Sequence, residues 1–232
     1  MRALLLAAGL GTRLRPLTDR IPKCLVPICG KPLLAYWLDL LLTGGIEKVL
    51  VNTHYLPHTV SRFVAASSWC DRVTLVHEDK LLGTGGTVLR NRAFFGNEAF
   101  LVAHADNLTR FDIRAFVRRH ATRPAGAMIT MMTFRTDVPE TCGIVEEDER
   151  GIVTAFHEKV PNPPGDHANA AVYIFEPGVV SFLESLHKDV IDLSTEVMPA
   201  FLGRMVAYHN TQYHRDIGSP ESLERAHREF CA

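Results

Sequence analysis

Apolar residues along this chain fall into two rhythms. Short, nearly unbroken apolar runs at 2–7, 48–52, 73–77, 99–104 and 127–134 read as strands. Between them, 33–42, 59–66, 87–93 and 113–120 carry apolar positions at helical spacing. Strand and helix alternating at this pitch predict a parallel sheet with helices on its faces. The early strands are apolar on both faces, as expected when both sides of a sheet are covered. After about residue 140 the rhythm changes. Runs 143–146 and 152–157 predict a hairpin around Asp148-Glu149-Arg150-Gly151, followed by a strand at 168–175. Helices are predicted at 179–186, 195–202 and 220–230, the last capped by Ser219 with Ser222 nearby.

The chain has 232 residues, of which 47% are hydrophobic and 22% charged, enough for a sizeable core. No repeat or low-complexity tract divides it, so a single domain over 1–232 is expected. Net charge is −1, which provides no global field for nucleic acid or an anionic membrane. Phosphate recognition would have to be local. No apolar stretch approaches the roughly 20 residues of a membrane span, and the run at 3–10 is too short for a secretory leader. The five cysteines, Cys24, Cys29, Cys70, Cys142 and Cys231, are odd in number and contain no C-x-x-C pair. That pattern predicts reduced thiols in a cytoplasmic protein rather than a disulfide framework or zinc site.

The strongest chemical signal follows the first strand. Ala7-Ala8-Gly9-Leu10-Gly11-Thr12-Arg13 is a glycine loop carrying a cation, and Lys23 follows ten residues later. Glycines let backbone N–H groups approach an anion, and Arg13 and Lys23 add fixed positive charge. An ordinary tight turn with solvated cations is the alternative. Leu14 denies the loop the third glycine of a dinucleotide fingerprint, and no Gly-Lys-Ser/Thr follows. Asp106 ends the apolar run 100–105, where ligands collect in open α/β sheets. A carboxylate there suits Mg²⁺, which takes one or two protein carboxylates and completes its shell with phosphates and water. A helix cap is the alternative for Asp106.

The ordered stretch Leu6-Ala7-Ala8-Gly9-x-Gly11-Thr12-Arg13-Leu14-x-Pro16-Leu17-Thr18, with Pro22-Lys23-x-x-x-Pro27-x-x-Gly30-Lys31-Pro32-Leu33, resembles the signature of the sugar-1-phosphate nucleotidyltransferases. The resemblance implies a Rossmann-like three-layer α/β sandwich with a mostly parallel central sheet and a smaller sugar-binding β portion. It implies a nucleotide-side half at about 1–135 and a sugar-side half at about 136–232. Some relatives carry a C-terminal hexapeptide β-helix, and none is expected here. The implied reaction is attack of a sugar 1-phosphate on the α-phosphorus of an NTP, releasing pyrophosphate. Lys23 would offset repulsion between the two anionic reactants, and Arg13 would hold the β- and γ-phosphates. Asp216, heading Asp216-Ile217-Gly218-Ser219-Pro220, would join Asp106 on the metal; an Asx-turn or a pair with Arg215 is the alternative. Nucleotide contacts would come from Ala7, Ala8, Gly9, Gly11, Thr12 and Arg13. A second glycine loop, Gly83-Thr84-Gly85-Gly86, would read the base, unless it merely starts a helix. Gly143, Glu158, Lys159 and Asn169 would line the sugar pocket; a surface ion pair and a turn residue are the plain readings of Glu158-Lys159 and Asn169.

Cys142-Gly143-Ile144-Val145-Glu146, Phe156-His157-Glu158-Lys159-Val160 and Ser194-Thr195-Glu196-Val197-Met198-Pro199 look most like the short bacterial enzymes that make GDP-activated heptoses or mannose-like sugars. GTP with such a sugar 1-phosphate is therefore the expected pair, acting in a monomer or small homo-oligomer. A UTP-dependent enzyme on an amino-sugar 1-phosphate, of the muramic-acid recycling type, is the alternative, as is a non-catalytic sugar-nucleotide sensor. A non-sugar phosphate acceptor would call for an aromatic cage that the sequence does not display. His54 and His58 flank Pro57 and read as loop histidines. Arg110, Arg114, Arg118, Arg119 and Arg123 read as a solvated helix face.

Overall fold

The computed structural model describes residues 1–231. Its strands and helices begin with β1 (Ala3–Leu6), β2 (Pro27–Ile28), β3 (Lys31–Pro32), α1 (Leu33–Thr43), β4 (Val49–Thr53), α2 (Pro57–Ala65) and β5 (Val73–His77). They continue with α3 (Gly83–Arg90), α4 (Arg92–Phe95), β6 (Phe100–His104), β7 (Asn107–Arg110), α5 (Ile113–Ala121) and β8 (Ile129–Arg135). The chain closes with β9 (Gly143–Glu147), β10 (Val153–Glu158), β11 (His167–Phe175), α6 (Pro177–Ser185), β12 (Met205–His209), β13 (Tyr213–Asp216) and α7 (Pro220–Phe230). The class is mixed α/β with a large, mostly parallel central sheet, as the apolar runs predict.

Two compact units are interleaved along the chain: among the described residues, 1–81, 103–110 and 213–231 form one, and 82–102 with 111–212 form the other. In the first, β1, β4 and β5 are parallel, with Leu5 opposite Val51 and Val51 opposite Leu75. Helix α1 buries Leu34, Trp37, Leu38 and Leu41, and the Trp37 indole donates to the Asn107 carbonyl at 2.8 Å. That bond fixes β7, which pairs antiparallel with β13. Leu14, Val26, Ile28, Leu33, Leu108, Ile217 and Ala226 form a core beneath this ribbon. In the second unit β11 pairs antiparallel with β8 and β9, while β12 joins β8 in parallel. The β9–β10 hairpin forms as expected. Asp148 Oδ1 accepts from the amides of Arg150 and Ile152, and Gly151 supplies the left-handed residue at φ +76°.

Four expectations need correction. First, Cys29 and Cys231 form a disulfide, with Cα atoms 5.7 Å apart; Cys24, Cys70 and Cys142 remain free. Cys29 sits in the β2–β3 turn and Cys231 caps α7, so folding unites residues 202 apart in sequence. No spacing rule reveals such a pair, and the thiol count no longer supports a cytoplasmic location. Second, 195–202 is not an α-helix but a π-turn, Leu193–Val197, followed by a 3₁₀ turn, Met198–Phe201. Pro199 lacks the N–H that an α-helix through this segment would need. Third, the run from Gly83 onward is the first turn of α3 rather than a loop before it. Fourth, the arginine face is not simply solvated. Arg119 donates to the Ala207 and Arg150 carbonyls, and Arg123 pairs with Glu176 at 2.7 Å. Among the described residues no helix is long and apolar enough to cross a membrane.

Candidate active site

The site in the first unit is built by two backbone devices. The Ala105 amide donates to the Leu6 carbonyl at 3.0 Å, setting Asp106 beside the end of β1 and the loop that leaves it. The β7–β13 pairing places Asp216 opposite Asn107. Two aspartates 110 positions apart in sequence thus become neighbours. Lys23 stands in a short 3₁₀ turn, Lys23–Leu25, that follows an extended Pro22. Its side chain is only 7% exposed, and its ammonium donates to Asp106 Oδ2 at 2.9 Å and Asp216 Oδ1 at 3.0 Å. A buried ammonium is costly unless paired, and here two carboxylates share it. Burial by itself would raise the Asp106 pKa. The Lys23 charge and hydrogen bond, with a smaller contribution from His104, reverse this and hold the carboxyl below its ordinary value.

Arg13 approaches the same point, 3.8 Å from Asp216 Oδ2, and is otherwise largely exposed. Gly11 shapes the loop. Its φ is +64°, and a Cβ there would lie 3.0 Å from Thr18 and 3.3 Å from Lys23. The Thr18 hydroxyl donates to the Gly11 carbonyl at 2.7 Å, tying the loop to the turn that follows. Gly9 is exposed with open space where a Cβ would point, and Thr12 and Arg13 are exposed; Ala8 is buried. The Ala7 amide is committed, donating to Asn52 Oδ1 at 2.7 Å, and Asn52 in turn donates to Glu78 at 3.0 Å. Gly218 is a site residue that the motif contained without revealing its purpose. A Cβ there would fall 2.5 Å from an Arg13 guanidinium nitrogen and 2.7 Å from Asp216 Oδ2. Gly218→Ala is expected to displace that pair and reduce turnover by about 10- to 100-fold, the scale of ångström-level misplacement. Steady-state kinetics, with circular dichroism to confirm folding, checks this; an unchanged rate would show that the Arg13–Asp216 approach does not matter.

The second unit gathers the other sequence candidates. Gly143 lies opposite Glu158 in the β9–β10 ladder. A Cβ at Gly143 would come within 2.6 Å of both Glu158 Oε2 and the Phe156 ring, so glycine is what lets the carboxylate cross the neighbouring strand. Lys159 Nζ lies 3.2 Å from Glu158 Oε1, with the lysine 65% exposed. Asn169 Oδ1 accepts from the Ala171 amide at 2.9 Å, and its Nδ2 donates to the Tyr173 hydroxyl at 2.7 Å. Burial raises the Tyr173 pKa against the Asn169 bond, with Glu158 and Asp192 adding to the rise. The Gly85 and Gly86 amides donate to the Ile191 carbonyl at 2.9 and 3.3 Å, and Thr84 Oγ1 accepts from the Leu193 amide at 2.8 Å. Side chains at Gly83, Gly85 or Gly86 would collide with the 189–191 segment. Packing against that segment therefore accounts for the glycines and occupies donors that the sequence assigns to a nucleotide base.

The family model described as "Nucleotidyl transferase" matches residues 2–232. The chain belongs to the nucleotidyl transferase family. It is 33% identical over 228 residues to a mannose-1-phosphate guanylyltransferase of Mycobacterium tuberculosis, covering 96% of this chain and 62% of that protein. It is 31% identical over 213 residues to a UTP–glucose-1-phosphate uridylyltransferase of Synechocystis, covering 86% and 54%. This family member thus spans about three fifths of the length of the curated relatives it matches. Among solved structures, HddC from Yersinia pseudotuberculosis superposes with a TM-score of 0.82 at 24% identity, covering 99% of each chain. An apo-UDP-glucose pyrophosphorylase gives 0.82 at 20%, covering 100% of this chain and 98% of that one. At these identities the structures establish the fold.

Two histidines adjoin the carboxylate pair without having been singled out in the sequence. His214 lies on β13 opposite Thr109, and His104 ends β6. Burial, aided by Arg215 and His104 and opposed by Asp106, pushes the His214 pKa down to about 3, so this ring is neutral at pH 7. A neutral ring near Asp106 leaves charge balance to Lys23. For His214 the alternation 214–216 was the available signal, since residues two apart on a strand share a face.

Proposed function

We infer that this chain transfers a nucleotidyl group from an NTP to a sugar 1-phosphate, giving an NDP-sugar and pyrophosphate. The observation that carries the reading is the convergence of Asp106 and Asp216 on Lys23, with Arg13 3.8 Å from Asp216, beside the open glycine loop. Both reactants are polyanions, and the exposed part of the loop presents backbone to one of them with Arg13 as a planar phosphate partner. Lys23 carries a fixed ammonium to the place where charge develops at phosphorus. No nucleophilic side chain is needed, because the acceptor phosphate supplies the attacking oxygen and positioning with charge suffices.

Two carboxylates that already share one cation form a hard-oxygen donor set, which fits Mg²⁺. Asp106 and Asp216 would hold the ion. When bound, it would neutralise phosphate charge on the attacked and departing groups. Glu158, Gly143 and Asn169 are proposed to receive the sugar hydroxyls, and Lys159 its phosphate. The guanylyltransferase relatives favour GTP with a manno-configured or heptose 1-phosphate, while the Synechocystis relative keeps UTP in view. Pyrophosphate release measured across four NTPs and a panel of sugar 1-phosphates tests the reading. Release is expected with GTP and a mannose-like acceptor. Preference for UTP would replace the base assignment, and no release with any pair would leave a sensor.

A further inference from the structure

The second unit holds a cluster that the nucleotidyl-transfer reading does not use. Glu147 closes β9, His167 opens β11 and His209 closes β12. Strand β8 aligns the two histidines, with His167 opposite Arg135 and His209 opposite Thr133. Glu147 Oε1 lies 3.8 Å from His167 Nδ1 and 3.9 Å from His209 Nε2, and the three donor atoms all lie within 4.8 Å of one another. These separations are too long for hydrogen bonds, so neither imidazole is bonded to the carboxylate that both approach. The rings stand nearly perpendicular, 89°, with centroids 4.0 Å apart.

One ring is also steered from behind. His209 Nδ1 bonds the buried Thr133 hydroxyl at 2.6 Å, which leaves Nε2 directed at Glu147. His167 has only the Asp166 carboxylate 3.8 Å from its Nε2, an ion-pair distance without a hydrogen bond. Holding the far nitrogen of a histidine through a hydroxyl or carboxylate is how ligating imidazoles are oriented. Arg135, opposite His167 on β8, is itself 3.9 Å from Asp166 Oδ2.

We propose that Glu147, His167 and His209 form a binding site for a divalent transition-metal ion of the zinc class. Two imidazoles and one carboxylate match the three-ligand zinc pattern, whereas Mg²⁺ prefers oxygen alone. Metal–ligand bonds of about 2.0–2.2 Å require the donors to close together by roughly an ångström, within reach of side-chain rotation at strand ends. The site is chemically distinct from the all-carboxylate pair, and an ion there ties together the ends of three strands.

The test titrates Zn²⁺ into the full chain by calorimetry with excess Mg²⁺ present. Co²⁺ absorption is recorded in parallel, because the free thiols Cys70 and Cys142 are alternative soft ligands. One Zn²⁺ per chain is expected, with cobalt bands lacking thiolate charge transfer and a melting temperature that rises with zinc. His167→Ala/His209→Ala should abolish the uptake, and Thr133→Val should weaken it by about 10- to 100-fold, as loss of an orienting partner does. Should the double variant fail to fold, Glu147→Gln, which keeps the side-chain volume, decides the matter by the same titration. Absence of zinc uptake, uptake unchanged by these substitutions, or a thiolate band for cobalt would overturn the site.

Discussion

Asp106→Asn is expected to lower kcat by about 10³-fold, the upper range for removing one preorganised electrostatic group, while the protein stays folded. The substitution keeps volume and an acceptor oxygen, so Lys23, 2.9 Å away, retains a hydrogen bond there and an ion pair with Asp216. Asp106 is 38% exposed, so the stability cost stays within about 1–3 kcal/mol, the range for one altered polar interaction. The loss should fall on kcat more than on KM, because the carboxylate pair acts on charge that grows toward the transition state. Steady-state kinetics in varied Mg²⁺, with urea unfolding of the same sample, separates the effects. A rate within a few-fold of the parent would remove Asp106 from the chemistry and with it the metal assignment.

Much of this site is legible in the sequence because its parts are local. Gly9, Gly11, Thr12, Arg13 and Lys23 lie within one stretch, and a glycine loop with two cations has few other uses. Asp106 is legible because a carboxylate directly follows an apolar run. Asp216 is named only through its motif resemblance, because no local spacing shows that the β7–β13 pairing makes it a neighbour of Asp106. The purpose of Gly218 is hidden for the same reason: its crowding by Arg13 exists only after that ribbon forms. Gly83, Gly85 and Gly86 have a packing purpose that is equally hidden. A glycine run near a helix start suggests ligand contact, but these glycines accommodate the 189–191 backbone, which comes more than a hundred residues later.

The fold divides along similar lines. Strand β5 and helix α7 coincide with their expected spans because period and capping are short-range signals; Ser219 accepts from the Ser222 amide at 3.2 Å. The interleaving of two units is a property of contacts between distant segments and has no local signature. Disulfide Cys29–Cys231 is hidden for that reason too, and Pro199 shows a local rule overriding a helical pattern that was otherwise persuasive.

Lys23→Met should disturb catalysis and stability together. It leaves Asp106 and Asp216 facing each other without the ammonium between them, and catalysis is expected to fall by about 10²–10³-fold. Truncating one side of a buried pair costs about 3–5 kcal/mol; with the carboxylates 38% and 52% exposed, about 1–3 kcal/mol is expected. The pH dependence identifies the cause. In the parent, the Asp106 pKa is depressed on folding, so its contribution to stability is complete above the unfolded value of about 3.9 and disappears as pH falls through the lower folded value. Without Lys23 the largest influence lowering that pKa is lost, so the folded variant binds a proton more readily than the folded parent. Its deficit relative to the parent should therefore narrow as pH falls into the carboxyl range, measured by urea midpoints at each pH. Mg²⁺ should also raise the melting temperature of the variant more than that of the parent, because the ion can replace the missing charge. A deficit independent of pH and indifferent to Mg²⁺ would mean that Lys23 contributes packing alone. The proposed reaction depends on the opposite: a cation held where two carboxylates, and in turn two phosphates, must be brought together.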